Sequence, residues 1–419
     1  MTLFGAGTCH RGVGNNALPT KQPYTLLSHT TPPKKGCLFM RSPKDRITAF
    51  LMILPSLLLL GVFVYVFIGQ AINTSMTDWG ENRDQPPLAA NVVKSYVGMQ
   101  NYENLMTDML RFSFRNAMTN TFFFTIFFVA GCLAVGLLLA LLLDQRIVGE
   151  AFFRTVFLFP MALSFVVTGT IWRWMFQPKG GINVLPTLFG GEAWGFTWMN
   201  SRDVALPFLW QDVPRFITMV GIAILVFLAV RYLTVGRRRA MQYALGGAAV
   251  MLLVFASGAW DAIWLPLDDP KTEALIAPKG FNMALVGVVI AAVWQMSGYT
   301  MAMFLAGIRG ISDELREAAR VDGCNELQIY QYIILPQLNP IILSAMIILG
   351  HISLKIFDLV FAMAGPDNAQ TVVPGILVYI GGFRQNQFAS ASAVAVIMLF
   401  FVALIIIPYL WSQLRDSKA

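Results

Sequence analysis

Residues 312–340 read SDELREAARVDGCNELQIYQYIILPQLNP, the only long polar, helix-forming segment between two runs apolar enough to span a membrane. Ser312 suits a helix N-cap, and Asp313 and Glu314 put negative charge in the first turn, where the helix dipole favours it. Leu315, Ala318, Ala319 and Asp322 share helical spacing, with Glu317 and Arg320 on adjoining faces. Gly323 predicts a left-handed stop, Asn325 a second start, and Pro336 an interruption as the chain re-enters lipid. The result is a short helix–turn–helix with a small-residue surface (Ala318, Ala319, Gly323) and an exposed carboxylate, Glu317. A membrane-surface helix would want a basic polar face. This segment instead carries Asp313, Glu314, Glu317, Asp322 and Glu326. It reads as a dock for another protein, with Glu317 offering a charge-assisted contact to an Arg or Lys.

The rest of the chain says what the dock is attached to. Of 419 residues, 56% are hydrophobic and 13% charged, and the mean hydropathy is positive. Soluble domains carry about a quarter charged residues, so the class is membrane and the expected fold is all-α and polytopic. The formal charge of +7 reads as loop charge under the positive-inside rule rather than as a nucleic-acid surface. Cys9, Cys37, Cys132 and Cys324 have no metal-ligand spacing and suggest neither a disulfide framework nor a metal site.

A bilayer core needs about 20 apolar helical residues. Runs of that kind begin near Ile47, Asn116, Ala151, Phe216, Ala240, Phe281, Pro340 and Ala389, about eight spans. Both termini then lie in the cytoplasm, as do the turn at 144–154, the triplet Arg237-Arg238-Arg239 and the opening segment. Residues 1–45 have no apolar period and read as a disordered tail, with Met40 an alternative start. A first span and external loop follow over 46–111, the main transmembrane domain over 112–411, and a short cytoplasmic tail over 412–419. Trp172, Trp174, Trp194, Trp198, Trp210, Trp260 and Trp264 gather near the outer ends of spans, either as an interfacial belt or as stacking surfaces. Ala130-Gly131 and Gly246-Gly247-Ala248-Ala249 suit close helix packing.

Polar side chains at membrane depth are costly and tend to face a protein interior or a water-filled path. The candidates are Gln295, His351, Ser353, Lys355 and Asp358. Lys355 and Asp358, three apart, fit one helical face and can pair, so a structural ion pair and a solute-path role both stay open. No GxxxxGK[ST] loop, HExxH pair or GxSxG element occurs, and His10, His29 and His351 are scattered, so no catalytic residue is assigned. A phosphate cargo would want clustered arginines, and only Arg173 lies near a span end.

Glu317-Ala318-Ala319, three residues, Gly323, nine residues, then Ile333, Leu335 and Pro336 resemble the EAA motif of membrane subunits of binding-protein-dependent ABC importers. The string EAARVDG, through Asp322, resembles the carbohydrate branch, with Cys324 where that branch usually has Ala. Val97-Gly98-Met99-Gln100-Asn101-Tyr102 is similar to its FVGLxNY stretch, and Gly180-Gly181-Ile182-Asn183 to its GxIN element. Phe357-Asp358 through Ala364-Gly365-Pro366 is similar to the FD…GGP segment of the larger maltose-transporter membrane subunit.

The resemblance implies a permease core of six spans, here with an inserted hairpin of about two spans over 190–264 and a coupling loop over 309–336. It implies a sugar permease in a prokaryotic cell membrane. Its partners would be a second permease subunit, an ABC ATPase dimer that binds the ATP, an extracytoplasmic sugar-binding protein and lipid. Counting back from the loop, Trp294 to Tyr299 match the sugar-contacting span of the maltose subunit. Tyr299 agrees in type, while Gln295 and Met296 differ, which implies a different sugar. Ser353-Leu354-Lys355-Ile356-Phe357-Asp358 leans to glucose-type permeases. The same fold importing glycerol phosphate or another polar solute is the first alternative, and an ion-coupled carrier built on inverted repeats the second.

Overall fold

In lipid a chain must satisfy its backbone polar groups internally, so each apolar run is expected to be helical. A computed structural model describes residues 43–81, 94–107, 114–145, 147–201, 203–208, 213–234, 238–257 and 279–416. Most of the 1–45 tail, Met40, Arg237, Trp210, Trp260 and Trp264 lie outside the described residues. The first run is α1 (Pro43–Leu60), a π-turn (Gly61–Val66) and α2 (Phe67–Ser75). There follow α3 (Gln100–Thr107), α4 (Phe114–Asp144), α5 (Glu150–Leu158) and α6 (Phe165–Met175). Then come strand β1 (Val204–Phe208), the hairpin helices α7 (Val213–Thr234) and α8 (Arg238–Ala256), strand β2 (Lys279–Asn282) and α9 (Met283–Arg309). The polar segment forms α10 (Asp313–Val321), α11 (Glu326–Ile329) and α12 (Leu335–Gln337). The chain closes with α13 (Asn339–Leu354), α14 (Asp358–Ala364), α15 (Pro374–Tyr379) and α16 (Phe388–Asp416).

Five of the helical runs are long and apolar enough to cross a membrane: Ile47–Ser75, Phe114–Asp144, Arg238–Ala256, Met283–Arg309 and Phe388–Pro408. The run expected as one span from Ala151 is a bent pair, Glu150–Ala162 and Phe165–Met175, meeting at 99°, a broken span or a re-entrant loop. The break follows from its residues. Pro160 sits in a 3-10 turn, Leu163 is extended, and Ser164 caps α6 by accepting the Val167 N–H at 3.3 Å. The terminal helix runs on to Asp416.

The chain divides into two compact units. The first comprises Met1–Gln70 with Gly310–Leu338, and the second Ala71–Arg309 with Asn339–Ala419. In the second unit α4 packs along α9, burying Phe124, Phe128, Leu285, Val288 and Ala292 in one core with Leu349, Leu359 and Val373. Lipid supplies no hydrophobic force between helices, so close packing and interhelical hydrogen bonds hold them. Thr300 Oγ1 donates to the Cys132 carbonyl at 2.8 Å, fastening the two helices at mid-length. Gly131 lies against Val293, and Gly247 lies near Leu225 within the hairpin, as the small-residue runs imply.

β1 and β2 pair antiparallel, with Phe208 opposite Lys279 and Val204 opposite Asn282. This ribbon joins the chain just before α7 to the chain just before α9, with the α7–α8 hairpin between its strands. Within residues 190–201, Met199 packs at Gly287, and Trp198 against Phe176 at 4.6 Å.

Candidate functional site

Two sets of residues carry the functional expectations, and each lies within one unit. In the first unit the polar segment is closed by specific caps. α10 starts at Ser312 in extended conformation, although its hydroxyl makes no capping bond, so the position is right and the expected bond is absent. It ends at Gly323, with φ +83°, the left-handed geometry that glycine adopts freely. There the Gly323 N–H donates to the Arg320 carbonyl at 3.1 Å and the Cys324 N–H to the Ala319 carbonyl at 3.0 Å, the paired bonds of a Schellman stop. Asn325 opens α11 with a full capping box: its Oδ1 accepts from Gln328 N, and Gln328 Oε1 accepts from Asn325 N, both at 2.8 Å.

Across this turn Arg320 Nε meets Glu326 Oε1 at 2.9 Å, a pair that one-helix spacing does not reveal. Glu317, Ala318, Asp322 and Gly323 are exposed, while Ala319 is buried, so the expected small-residue surface loses one of its three members. Ile333 and Leu335 are half-buried and Pro336 is exposed. Pro336 does not interrupt the helix as expected. A π-turn over Tyr330–Ile334 widens the helix just before it, with Leu335 N–H reaching the Tyr330 carbonyl. The wider turn accommodates the missing N–H and the ring, and α12 ends at Gln337.

In the second unit the path candidates separate. Gln295, on α9, is 2% exposed. Its Nε2 donates to the Leu163 carbonyl at 2.7 Å, at the break between α5 and α6. Its Oε1 is buried without a partner, as are Thr168 Oγ1 and Trp172 Nε1 on α6. Trp172 meets Trp294 edge-on at 5.8 Å. Gly298 packs so close to the Phe157 carbonyl that a Cβ would lie 2.2 Å from its oxygen, so the Trp294–Tyr299 turn of α9 lies flush against the bent pair. Met296 and Tyr299 are half-buried there.

Ser353 stands apart: fully buried, it donates to the Gly350 carbonyl at 2.7 Å and takes the Thr125 hydroxyl at 2.9 Å, which fastens α13 to α4. Lys355 and Asp358 do not share a helical face, because α13 ends at Leu354 and α14 begins at Asp358. Both are exposed, and among the described residues no salt bridge joins them.

The two family-like strings ahead of α3 and after α6 have structural work to do. Asn101 Nδ2 donates to the carbonyls of Ser75 and Thr77 at 2.8 and 2.7 Å, and the Tyr102 hydroxyl meets Ser75 Oγ at 2.7 Å, pinning the end of the first span. Asn183, fully buried, donates to the carbonyls of Gln177, Pro178 and Phe196 and accepts from Trp198 Nε1 at 3.4 Å. Trp198 is thereby a loop fastener rather than a free stacking face, whereas Trp174 and Trp194 are exposed. Sequence reasoning passed over Asn116 and Asn120, although two asparagines four apart in an apolar run were visible.

Comparison with known proteins agrees with this architecture. Residues 132–417 match the family described as binding-protein-dependent transport system inner membrane component. A protein of Pyrococcus horikoshii named "Probable ABC transporter permease protein" is 31% identical over 90% of this chain and 100% of its own length. The xylose/arabinose import permease protein of Haloferax volcanii is 28% identical over 86% of each chain. A crystal structure of a bacterial alginate ABC transporter, in complex with an alginate pentasaccharide-bound periplasmic protein, shares the fold. Its TM-score is 0.56 at 15% identity, over 87% of this chain and 93% of that one. With a matched model spanning most of its length and a relative aligned from end to end, this multi-pass helical chain belongs to the family of binding-protein-dependent transport system inner membrane components.

Proposed function

We propose that this chain is a permease subunit of an ATP-driven sugar importer, coupled to a cytoplasmic ATPase through α10 and the turn at Gly323. The observation that carries the reading is the doubly capped turn: a Schellman stop and a capping box back to back hold Glu317 exposed on a rigid, acidic helix. Sugar as cargo is supported by relatives named for xylose/arabinose import and for a multiple sugar-binding transport system, the latter from Streptococcus mutans at 24% identity. The partners would be a second permease, an ATPase dimer that binds the ATP, and an external solute-binding protein. Arg238 and Arg239 at the hairpin tip favour a cytoplasmic tip, with both termini on that side.

The mechanism is alternating access. Closure of the ATPase pair moves the Glu317 helix, and α9 with the bent pair α5–α6 changes the side to which the solute site opens. At that site Gln295 Oε1, Thr168 Oγ1 and Trp172 Nε1 offer an acceptor and two donors beside aromatic faces, the chemistry a hydroxyl-rich ligand needs. Tyr299 and Met296 flank it. Ser353, Lys355 and Asp358 are set aside from the site, the first by its helix-fastening bonds and the others by their placement at a helix break.

The test uses the complete importer in proteoliposomes. Glu317→Lys should abolish binding-protein- and sugar-stimulated ATP hydrolysis while the chain still inserts. Uptake at the wild-type rate would overturn the docking assignment. A second reading, a different polar solute, is favoured by similarity to an osmoprotective compounds uptake permease of Synechocystis, 24% identical over 78% of this chain. Competition of uptake by a panel of sugars and polyols separates the two.

A further inference from the structure

Segment 365–373 between α14 and α15 is largely non-helical, yet Thr371, Val372 and Val373 are buried to 1% exposure or less. Backbone carbonyls in such a segment need partners, from the main chain or from side chains. Asn368 and Val373 find theirs in the N–H groups of Thr371 and of Ile376 and Leu377, while Ala369, Gln370 and Val372 find theirs in three asparagines. Asn116 Nδ2 donates to the Ala369 carbonyl at 3.0 Å, and Asn120, one turn along α4, donates to the Val372 carbonyl at 2.8 Å. Asn282, at the start of α9, donates to the Gln370 carbonyl at 2.7 Å while its Oδ1 accepts the Leu285 N–H. Asn116 and Asn120 are 7% and 1% exposed and Asn282 3%, so water does not compete for these bonds.

We infer that Asn116, Asn120 and Asn282 are positioning residues that lock segment 365–373 onto α4 and α9, so that it travels with those helices through the transport cycle instead of swinging as a gate. Releasing the segment would strand the buried Val372 carbonyl and three buried asparagine amides at once, an outcome that folded proteins avoid. Asparagine suits the task because its short amide both donates to the segment and, in Asn282, accepts from its own helix. The access change must then fall elsewhere, and the bent pair α5–α6 is one break in the same unit that can take it. The inference rests on the importer reading above.

The test places a cysteine at Thr371, in the complete importer with Cys9, Cys37, Cys132 and Cys324 replaced by alanine or serine. A membrane-impermeant maleimide is applied to each face of the membrane separately. With the asparagines intact, labelling should be slow and change less than about twofold between nucleotide-free, ATP-bound and binding-protein-bound states. Asn120→Ala with Asn282→Ala should raise it at least tenfold. Asn120→Asp, which sets a carboxylate against the Val372 carbonyl in the same volume, should do so if the double variant fails to assemble. A tenfold rise on adding ATP and binding protein to the intact clamp would overturn the inference, as would unchanged labelling in Asn120→Asp. Labelling needs no transported sugar, so a failure of the importer reading shows separately, as wild-type uptake in Glu317→Lys.

Discussion

Gln295 divides its amide between two tasks: Nε2 closes the break at Leu163, and Oε1 stays buried and unpaired. Gln295→Ala leaves the Leu163 carbonyl without its donor, at a cost of about 1–3 kcal/mol, and also removes the open acceptor. Half-saturation for solute uptake should rise at least tenfold. Ser353→Ala should instead cost about 1 kcal/mol of stability for each of its two lost hydrogen bonds, lowering the thermal midpoint, and leave half-saturation within twofold. Radiolabelled uptake and a melting curve on the same preparations check both. The contrast shows what residue identity alone conveyed. Gln295 and Ser353 are both polar residues in apolar runs, and only the position of Leu163 and Thr125 tells the half-open group from the closed one. The Lys355–Asp358 pair failed for a different reason. A spacing of three predicts pairing only on a continuous helix, and no Gly or Pro between Ser353 and Asp358 announces that α13 ends at Leu354.

Between elements, the turn joining α10 to α11 was the most legible part of the chain, because its signals are local. Gly323 and Asn325 act through bonds to residues within four positions, so a single stretch of sequence contains both partners. The α5–α6 break was harder to read: Pro160 and Ser164 signal it, but an apolar run on either side masks them. Gly323→Ala forces a Cβ into left-handed geometry at about 1–2 kcal/mol, and Asn325→Ala removes a cap worth about 0.5–2 kcal/mol. Each should lower stimulated ATP hydrolysis severalfold without changing the amount of chain inserted, and the double variant should approach the loss expected of Glu317→Lys. Arg320→Ala should have little effect on stability, since the Glu326 pair is exposed on both sides. Equal hydrolysis in all three would place the coupling surface elsewhere.

At the scale of the molecule, the α7–α8 hairpin is set off from the core by its own closure. β1 and β2 bring Phe208 opposite Lys279, so the chain leaves and returns at one point. The sequence showed the hairpin's apolar runs but not this ribbon, because Val204–Phe208 and Lys279–Asn282 are short and their pairing spans the whole insert. Many residues of the hairpin helices face outward, among them Phe227, Val230, Leu252 and Leu253, as a helix pair in contact with lipid would. The core's own fasteners, from Asn183 to Thr300 and the asparagines on α4, lie outside it. Replacing residues 209–278 with Asn-Gly, a two-residue connection that favours a tight antiparallel turn, should preserve the ribbon and the core. The shortened chain should insert, assemble with its partners and import solute within about threefold of the full protein, read by uptake and by size-exclusion of the detergent-purified complex. If it assembles but no longer responds to the external binding protein, the hairpin's outer end takes part in that contact. If it fails to assemble, the hairpin is a structural part of the core, and the ribbon marks a fold boundary without marking an accessory one.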